Sequence, residues 1–295
     1  MPAPQSSDLA HPVLDHVVVN ARDRLEAVSR CFLALGFELT PTGRHTLGSI
    51  NRLAVFGADY LELVGVDPAS QTPRRELMAF PEGLNGLVFA TGDAASLYGA
   101  LAARGVPVAA PVEFARPVTI AGKGETARFR VVRIDAAAVP YGRVYFCQHL
   151  TPELVWREEW RHHANGAISV ARVVIASADP AAAGVLYREI FGADCLRPVP
   201  GGLSLALGAA RLDILAPAAV AAAFGAAAPA AEGRATYLAA LGLRITDLGR
   251  TRAGLGARAQ AEEARLVVDA AAAFGLALEF VEEAKSGSGR GSPGR

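Results

Sequence analysis

The 295-residue chain is short of several things, and each shortage excludes something. It has no charge excess: 29 lysines and arginines balance 29 aspartates and glutamates, so no basic field draws nucleic acid or an anionic membrane. It has no apolar run long enough to span a bilayer, because the alanine-rich stretch 217–231 is broken by prolines and glycines. Its opening, MPAPQSSDLAHP, lacks the basic-then-apolar order of a secretory signal. Its three cysteines, Cys31, Cys147 and Cys195, are odd in number and widely spaced. They read as free thiols in a reducing cytoplasm rather than as a disulfide framework or a CxxC zinc site. Aromatic content of 7% leans against a binding cavity walled by aromatic rings. What is present, 52% hydrophobic and 20% charged residues, describes a globular chain of one large or two ordinary domains with a small-molecule partner.

The stretch DHVVVNARDRLEAVSRCFLALGFEL joins a β-branched strand to a helix with Leu25, Val28, Phe32 and Leu35 at helical spacing. Asp23 is placed to cap that helix and Gly36 to end it. Strands are expected over 37–42, 51–56 and 60–66, which makes a βαβββ unit. The same order returns at NGLVFATGDAASLYGALAARGVPV, at VARVVIASADPAAAGVLYREIFGADCL and, more weakly, at LAALGLRITDLGRTRAGLG. In each copy an aspartate (Asp93, Asp179, Asp247) stands seven residues after the position of His16, occupied by Gly86, Arg172 and Ala240. The expected fold is α+β: four βαβββ modules pairing into two curled-sheet halves. The expected divisions are an arm at 1–12, a first half at 13–150, a linker helix at 151–166, a second half at 167–284 and a disordered, Gly/Ser-rich tail at 285–295.

A histidine ahead of three valines, His16, is by itself ordinary strand-end polarity. The fourth strands change its context. YLELV in module 1 carries Glu62 between apolar neighbours, RLDIL carries Asp213 and LALEF carries Glu279. A carboxylate in such surroundings demands a cation or a donor. Module 2 ends in RVYFCQHLTPELVW, where alternation puts Cys147 and His149 on one face. Aligning Gly142 with Gly57 sets Cys147 opposite Glu62 and gives His149 and Glu62 corresponding faces.

LDHVVV, GRHTLGSINRLAVFGADYLELVGV and FCQHLTPELVWREEW, taken in order, resemble the vicinal oxygen chelate superfamily and, within it, the glyoxalase-like domain proteins. The resemblance implies a cavity inside paired modules and a divalent ion held by first- and fourth-strand side chains. Carried over, it makes His16, Glu62 and His149 the metal set, with Gly86 leaving the first strand of module 2 without a ligand. Two histidines and one carboxylate suit Fe2+, Mn2+, Zn2+ or Ni2+ with positions left open for substrate. The implied chemistry is chelation of two vicinal oxygens, of the lyase or isomerase type or the extradiol-dioxygenase type, with Glu62 or His45 moving a proton. The rival is a metal-free binding or sequestering protein of the same fold, in which the three residues form a hydrogen-bonded cluster.

Other features have two readings each. His45 is a loop histidine or a proton shuttle at the cavity mouth, and Asn51 binds a substrate carbonyl or starts a strand. Trp156 and Trp160, four apart, pack a linker helix, or Trp156 closes over substrate. His162 and His163 are adjacent and point apart on a helix, so they do not share an ion. AGKGET at 121–126 lacks the leading glycine and the strand-to-helix setting of a phosphate loop. Cys147 reads as a structural thiol rather than a nucleophile. Arg172, with Asp213 and Glu279, is expected to form a buried ion cluster in place of a metal site, which leaves the first half as the chemical half. Cavities of this kind are built within one chain or across a homodimer, and duplicated halves allow a monomer.

Overall fold

The computed structural model describes residues 9–262 and 264–283, so the expected tail and most of the expected arm lie outside the described residues. Module 1 comprises β1 (Leu14–Arg22), α1 (Leu25–Ala34), β2 (Gly43–Arg44), β3 (Ser49–Val55) and β4 (Tyr60–Val66). Module 2 comprises β5 (Gly83–Ala90), α2 (Ala94–Ala103), β6 (Val112–Ile120), β7 (Lys123–Arg133) and β8 (Arg143–His149). Module 3 runs β9 (Ala167–Ser177), α3 (Pro180–Ala183), α4 (Val185–Phe191), β10 (Leu196–Val199), β11 (Gly202–Leu207) and β12 (Ala210–Leu215). After α5 (Pro217–Phe224), module 4 runs β13 (Thr236–Ile245), α6 (Leu248–Leu255), β14 (Ala259–Ala261), β15 (Arg265–Val268) and β16 (Ala277–Glu282).

Each half is one eight-stranded sheet, in the orders β2-β3-β4-β1-β5-β8-β7-β6 and β10-β11-β12-β9-β13-β16-β15-β14. Within every module the first strand lies parallel to the fourth, and two modules join through antiparallel first strands, β1 with β5 and β9 with β13. The first sheet curls until its edges approach: the Thr46 amide donates to the Ala115 carbonyl at 3.0 Å.

Alternation on β1 explains the layering. Val17 and Val19 face the main core with Leu25, Val28 and Phe32 of α1, while Val18 faces the concave side with Leu53, Val64 and Phe129. Asp93, Asp179 and Asp247 accept from first-turn amides of the helices that follow them, which suits their seven-residue spacing. Asp23 does not. In module 1, β1 runs on to Arg22, which takes a positive φ of 52°, and the helix N-cap falls on Arg24 without a side-chain cap.

Two further expectations are corrected. Residues 37–42 form no ladder, and the edge strand is only Gly43–Arg44. Between the halves, 151–166 holds two short 3-10 turns, Pro152–Leu154 and Glu158–Trp160, instead of a continuous helix. There His163 is a packing residue: Nδ1 accepts from the Glu38 amide at 2.9 Å and Nε2 donates to the Val55 carbonyl at 3.0 Å, between Phe37 and Phe56. His162 is exposed beside Glu158.

Candidate functional site

A cavity of about 500 Å³ opens on the concave side of the first sheet, a size suited to a small organic molecule. His16, His45, Asn51 and Glu62 line it; His149 and Trp156 do not.

His16 lines the cavity on the same face as Val18, and a β-bulge brings Asp15 to it. Leu14 pairs with Phe89 and His16 with Val88, so Asp15 is an extra residue in β1. Both Asp15 and His16 are buried. Asp15 Oδ1 accepts from His16 Nδ1 at 2.5 Å, and the same oxygen lies 3.1 Å from His149 Nε2. Burial would raise the Asp15 pKa, but the charges and hydrogen bonds of His149 and His16 outweigh it and hold the carboxyl well below its usual range. With Nδ1 donating to Asp15, Nε2 is the ring nitrogen that faces the cavity. The Tyr145 hydroxyl lies 3.2 Å from it, and Tyr60 stacks on the ring with centroids 4.3 Å apart.

Glu62 Oε2 stands 3.7 Å from the same Nε2. Its other oxygen, Oε1, accepts from Asn51 Nδ2 at 2.7 Å. Burial works against ionisation of Glu62, but His16, His45, Asn51 and Arg143 outweigh it and lower the pKa. His16 Nε2 and Glu62 Oε2 thus face one small space on the cavity wall.

His149 is not brought to Glu62, and strand register is the reason. Val18 pairs with both Glu62 and Gly86, Gly86 pairs with Arg143, and the next inward pair is Val88 with Tyr145. The β1 residue paired two positions before Val18 is His16, and its β5 neighbour Val88 stands against Tyr145. The expected alignment of Cys147 with Glu62 is thus displaced by two residues along β8, keeping the face but setting Tyr145 in the place expected of Cys147 and His149 beyond it. There it packs on Trp156, Phe129 and Tyr60. Trp156 sits behind His149, half-buried, instead of over the cavity. Cys147, His149 and Asp15 also come within 4.8 Å of one another as a potential ligand group. Burial pushes the Cys147 thiol up, as suits a structural residue.

His45 is on the cavity wall, its Nδ1 2.9 Å from Ser49 Oγ and its ring edge-on to Phe114. Burial, reinforced by Arg116, lowers its pKa to about 4 against the pull of Glu62, so it is neutral at physiological pH. Gly86 cannot carry a ligand here: a Cβ would lie 2.7 Å from Val18 Cβ and Cγ2. Four arginines line the cavity, Arg74, Arg116, Arg133 and Arg143, and of these Arg74 has an ion pair, to Glu76.

The second half is built otherwise. Arg172 occupies the place of His16, with Nε 3.3 Å from Asp213 and Nη1 3.7 Å from Glu279. Arg211 and Arg265 complete the cluster, and Phe224 of α5 lies under Arg172 and Arg265. α5 also fills that concave face, where Val220 and Phe224 pack on Val174 and Ala240.

A family profile described as a glyoxalase-like domain matches residues 14–191, the whole first half with the first strand and helices of module 3. No protein of curated function matches the chain in sequence. Among solved structures, a hypothetical protein from Staphylococcus aureus is similar at 14% identity and a TM-score of 0.65, over 92% of this chain and 100% of that one. A mutant 4-hydroxymandelate synthase from Streptomyces coelicolor is similar at 12% identity and a TM-score of 0.54, over 92% and 93%. A xylose isomerase-like TIM barrel/4-hydroxyphenylpyruvate dioxygenase fusion protein is similar at 14% identity and a TM-score of 0.56, over 98% of this chain and 51% of that one. At these identities the likeness to the solved structures is one of fold, whereas the profile match spans more than half of the sequence. The chain belongs to the glyoxalase-like domain family.

Proposed function

We propose that the first half is a small-molecule enzyme site of the glyoxalase-like kind, in which His16 and Glu62 hold a divalent ion (Fe2+, Mn2+, Zn2+ or Ni2+) and a substrate offers two vicinal oxygens. The observation that carries this is the 3.7 Å approach of Glu62 Oε2 to His16 Nε2 on the cavity wall. Two donors at ordinary bond lengths around one ion stand roughly 3.0–3.4 Å apart, so a closure of a few tenths of an ångström suffices. The residues fit in a second respect: a carboxylate behind the ligating imidazole, here Asp15, fixes the tautomer and strengthens the nitrogen as a donor. His149 acts one step further back, through Asp15, and not as a ligand.

Such an ion, when bound, polarises a substrate oxygen as a Lewis acid. The chain's own residues supply the rest. Asn51 orients Glu62 through Oε1 and, with His16 and His45, keeps it ionised. Tyr145, whose pKa burial pushes far up, stays protonated and donates a hydrogen bond to negative charge developing beside His16. Neutral His45 accepts a proton or a hydrogen bond but does not donate as an acid near pH 7. The lining residues all fall within the first half of one chain, and the free cysteines suit a cytoplasmic setting. Among the described residues no helix is long and apolar enough to cross a membrane.

A second reading has an observation of its own. Module 2 brings Gly86 and Tyr145 where a further ligand pair would stand, and Phe80, Phe114 and Phe129 face the cavity, which favours a metal-free binding protein. Equilibrium dialysis under anaerobic conditions against the four ions, followed by elemental analysis, separates the two. The enzyme reading expects about one equivalent in the wild type and none in a His16→Ala/Glu62→Ala variant. Wild type that stays metal-free after every reconstitution contradicts it.

A further inference from the structure

The acid and imidazole groups leave part of the cavity's chemistry unused. Arg116 on β6 is 2% exposed, yet no carboxylate lies within ion-pair distance of it among the described residues, and its Nε and Nη2 are buried without a hydrogen-bond partner. Those two nitrogens form one edge of the guanidinium, the edge that grips a carboxylate with two parallel N–H···O bonds. Arg116 lines the cavity, and on its Nη1 side a Cβ at Gly43 would stand 2.7 Å from Nη1 and 3.0 Å from Cδ. Burial lowers the Arg116 pKa, but a guanidinium remains charged at any physiological pH.

A second orphan shares this wall. Asn51 Oδ1 is buried and accepts nothing, and its amide cannot turn over, because Nδ2 is held by Glu62 Oε1 at 2.7 Å. The same construction at Gly43 falls 2.6 Å from Asn51 Oδ1, which puts the orphan acceptor and the guanidinium side by side. Across the cavity Arg143 adds positive charge: Nε is held by Asn85 Oδ1 at 2.8 Å, but Nη2 is also unpartnered. The half-buried Arg172, by contrast, has carboxylates within ion-pair distance, Asp213 and Glu279.

The geometry points to a carboxylate subsite: Arg116 takes the carboxylate of the substrate side-on through Nε and Nη2, and Asn51 Oδ1 accepts from a hydroxyl or N–H that the substrate carries beside it. The occupant is a small carboxylic acid with a neighbouring hydrogen-bond donor. This deepens the proposed function and rests on it for the identity of the site, but the binding physics requires no metal.

The test is calorimetric binding of salicylate and of its neutral counterpart salicylamide to the full chain at fixed ionic strength, with chelator present throughout. The wild type is expected to bind salicylate at least tenfold tighter than salicylamide. Arg116→Gln brings the two within about twofold. Arg116→Lys, which keeps the charge but not the two-toothed edge, falls between. Without ligand, Arg116→Gln melts no lower than wild type, because it removes an uncompensated buried charge. A wild type with no preference, or with no binding of either probe, overturns the proposal. So does a preference that survives Arg116→Gln, or an Arg116→Gln protein that melts several degrees lower, as loss of a structural arginine would cause. Because chelator is present, failure here leaves the metal measurement standing, and failure of metal binding leaves this result standing.

Discussion

The two halves place different charges on the same scaffold. In the first, the first-strand position carries His16, which meets Glu62 at 3.7 Å beside an open cavity. In the second it carries Arg172, which lies between Asp213 and Glu279 while α5 fills the concave face. An imidazole facing one carboxylate beside an open cavity differs from a guanidinium facing two carboxylates, which is already neutralised. One residue type at one register position thus separates an open cavity from a face closed by an ion cluster and a helix.

The comparison breaks most visibly at Arg172. Its replacement by alanine leaves Asp213 and Glu279 with reduced compensation, so denaturant unfolding is expected to show a loss of about 3–5 kcal/mol, with metal uptake unchanged. Loss of metal uptake in that variant would mean that the halves do not divide the work as described.

A smaller effect is expected at the joint between the halves, where Asp59 Oδ1 accepts from the Val170 amide at 2.9 Å and the Gly57 amide donates to the Ile168 carbonyl. Burial raises the Asp59 pKa from 3.8 to about 7. Between those values the folded state keeps a proton that the unfolded state has lost, so this group's contribution to stability falls as pH rises through the window. Asp59→Asn cannot ionise and keeps the acceptor. Its advantage over wild type should be small near pH 4 and grow to about 2–4 kcal/mol above pH 7, read as the difference between thermal melts at matched pH. An advantage that shrinks with rising pH would refute the assignment.

The smallest effect concerns the missing ligand of module 2. Gly86→Ala drives a methyl against Val18 and should cost about 1–3 kcal/mol, with Val18→Ala in the same chain restoring most of it. A neutral Gly86→Ala would show that the position has room for a side chain.

Much of the fold was legible in the sequence, because the recurring β-branched runs and the aspartates seven residues on report local physics: strand patterning and helix capping. Arg172 with its two acids was legible for the same reason, since a buried carboxylate must find a cation and few are in reach. The site was legible only where alternation held. Glu62, Asn51, His45 and His16 do reach the cavity. Asp15 was not visible, because alternation turns it away from His16 and only the bulge returns it. Tyr145 was hidden by a two-residue offset on β8, which conserves the face and so leaves no mark on the pattern. Arg116 was hidden because an arginine in VEFARPVTI reads as a solvated edge position, and only sheet closure buries it. The linker helix failed because the tryptophan spacing fits a helical face, whereas the structure breaks 151–166 into two short turns.

The most direct test of the account is the anomalous diffraction map of crystals reconstituted with Mn2+, recorded on either side of the manganese edge. The account predicts one strong peak within about 2.0–2.3 Å of both His16 Nε2 and Glu62 Oε2, with none in the second half. A peak at the Asp15, Cys147 and His149 group, or no peak in the first half, would contradict it.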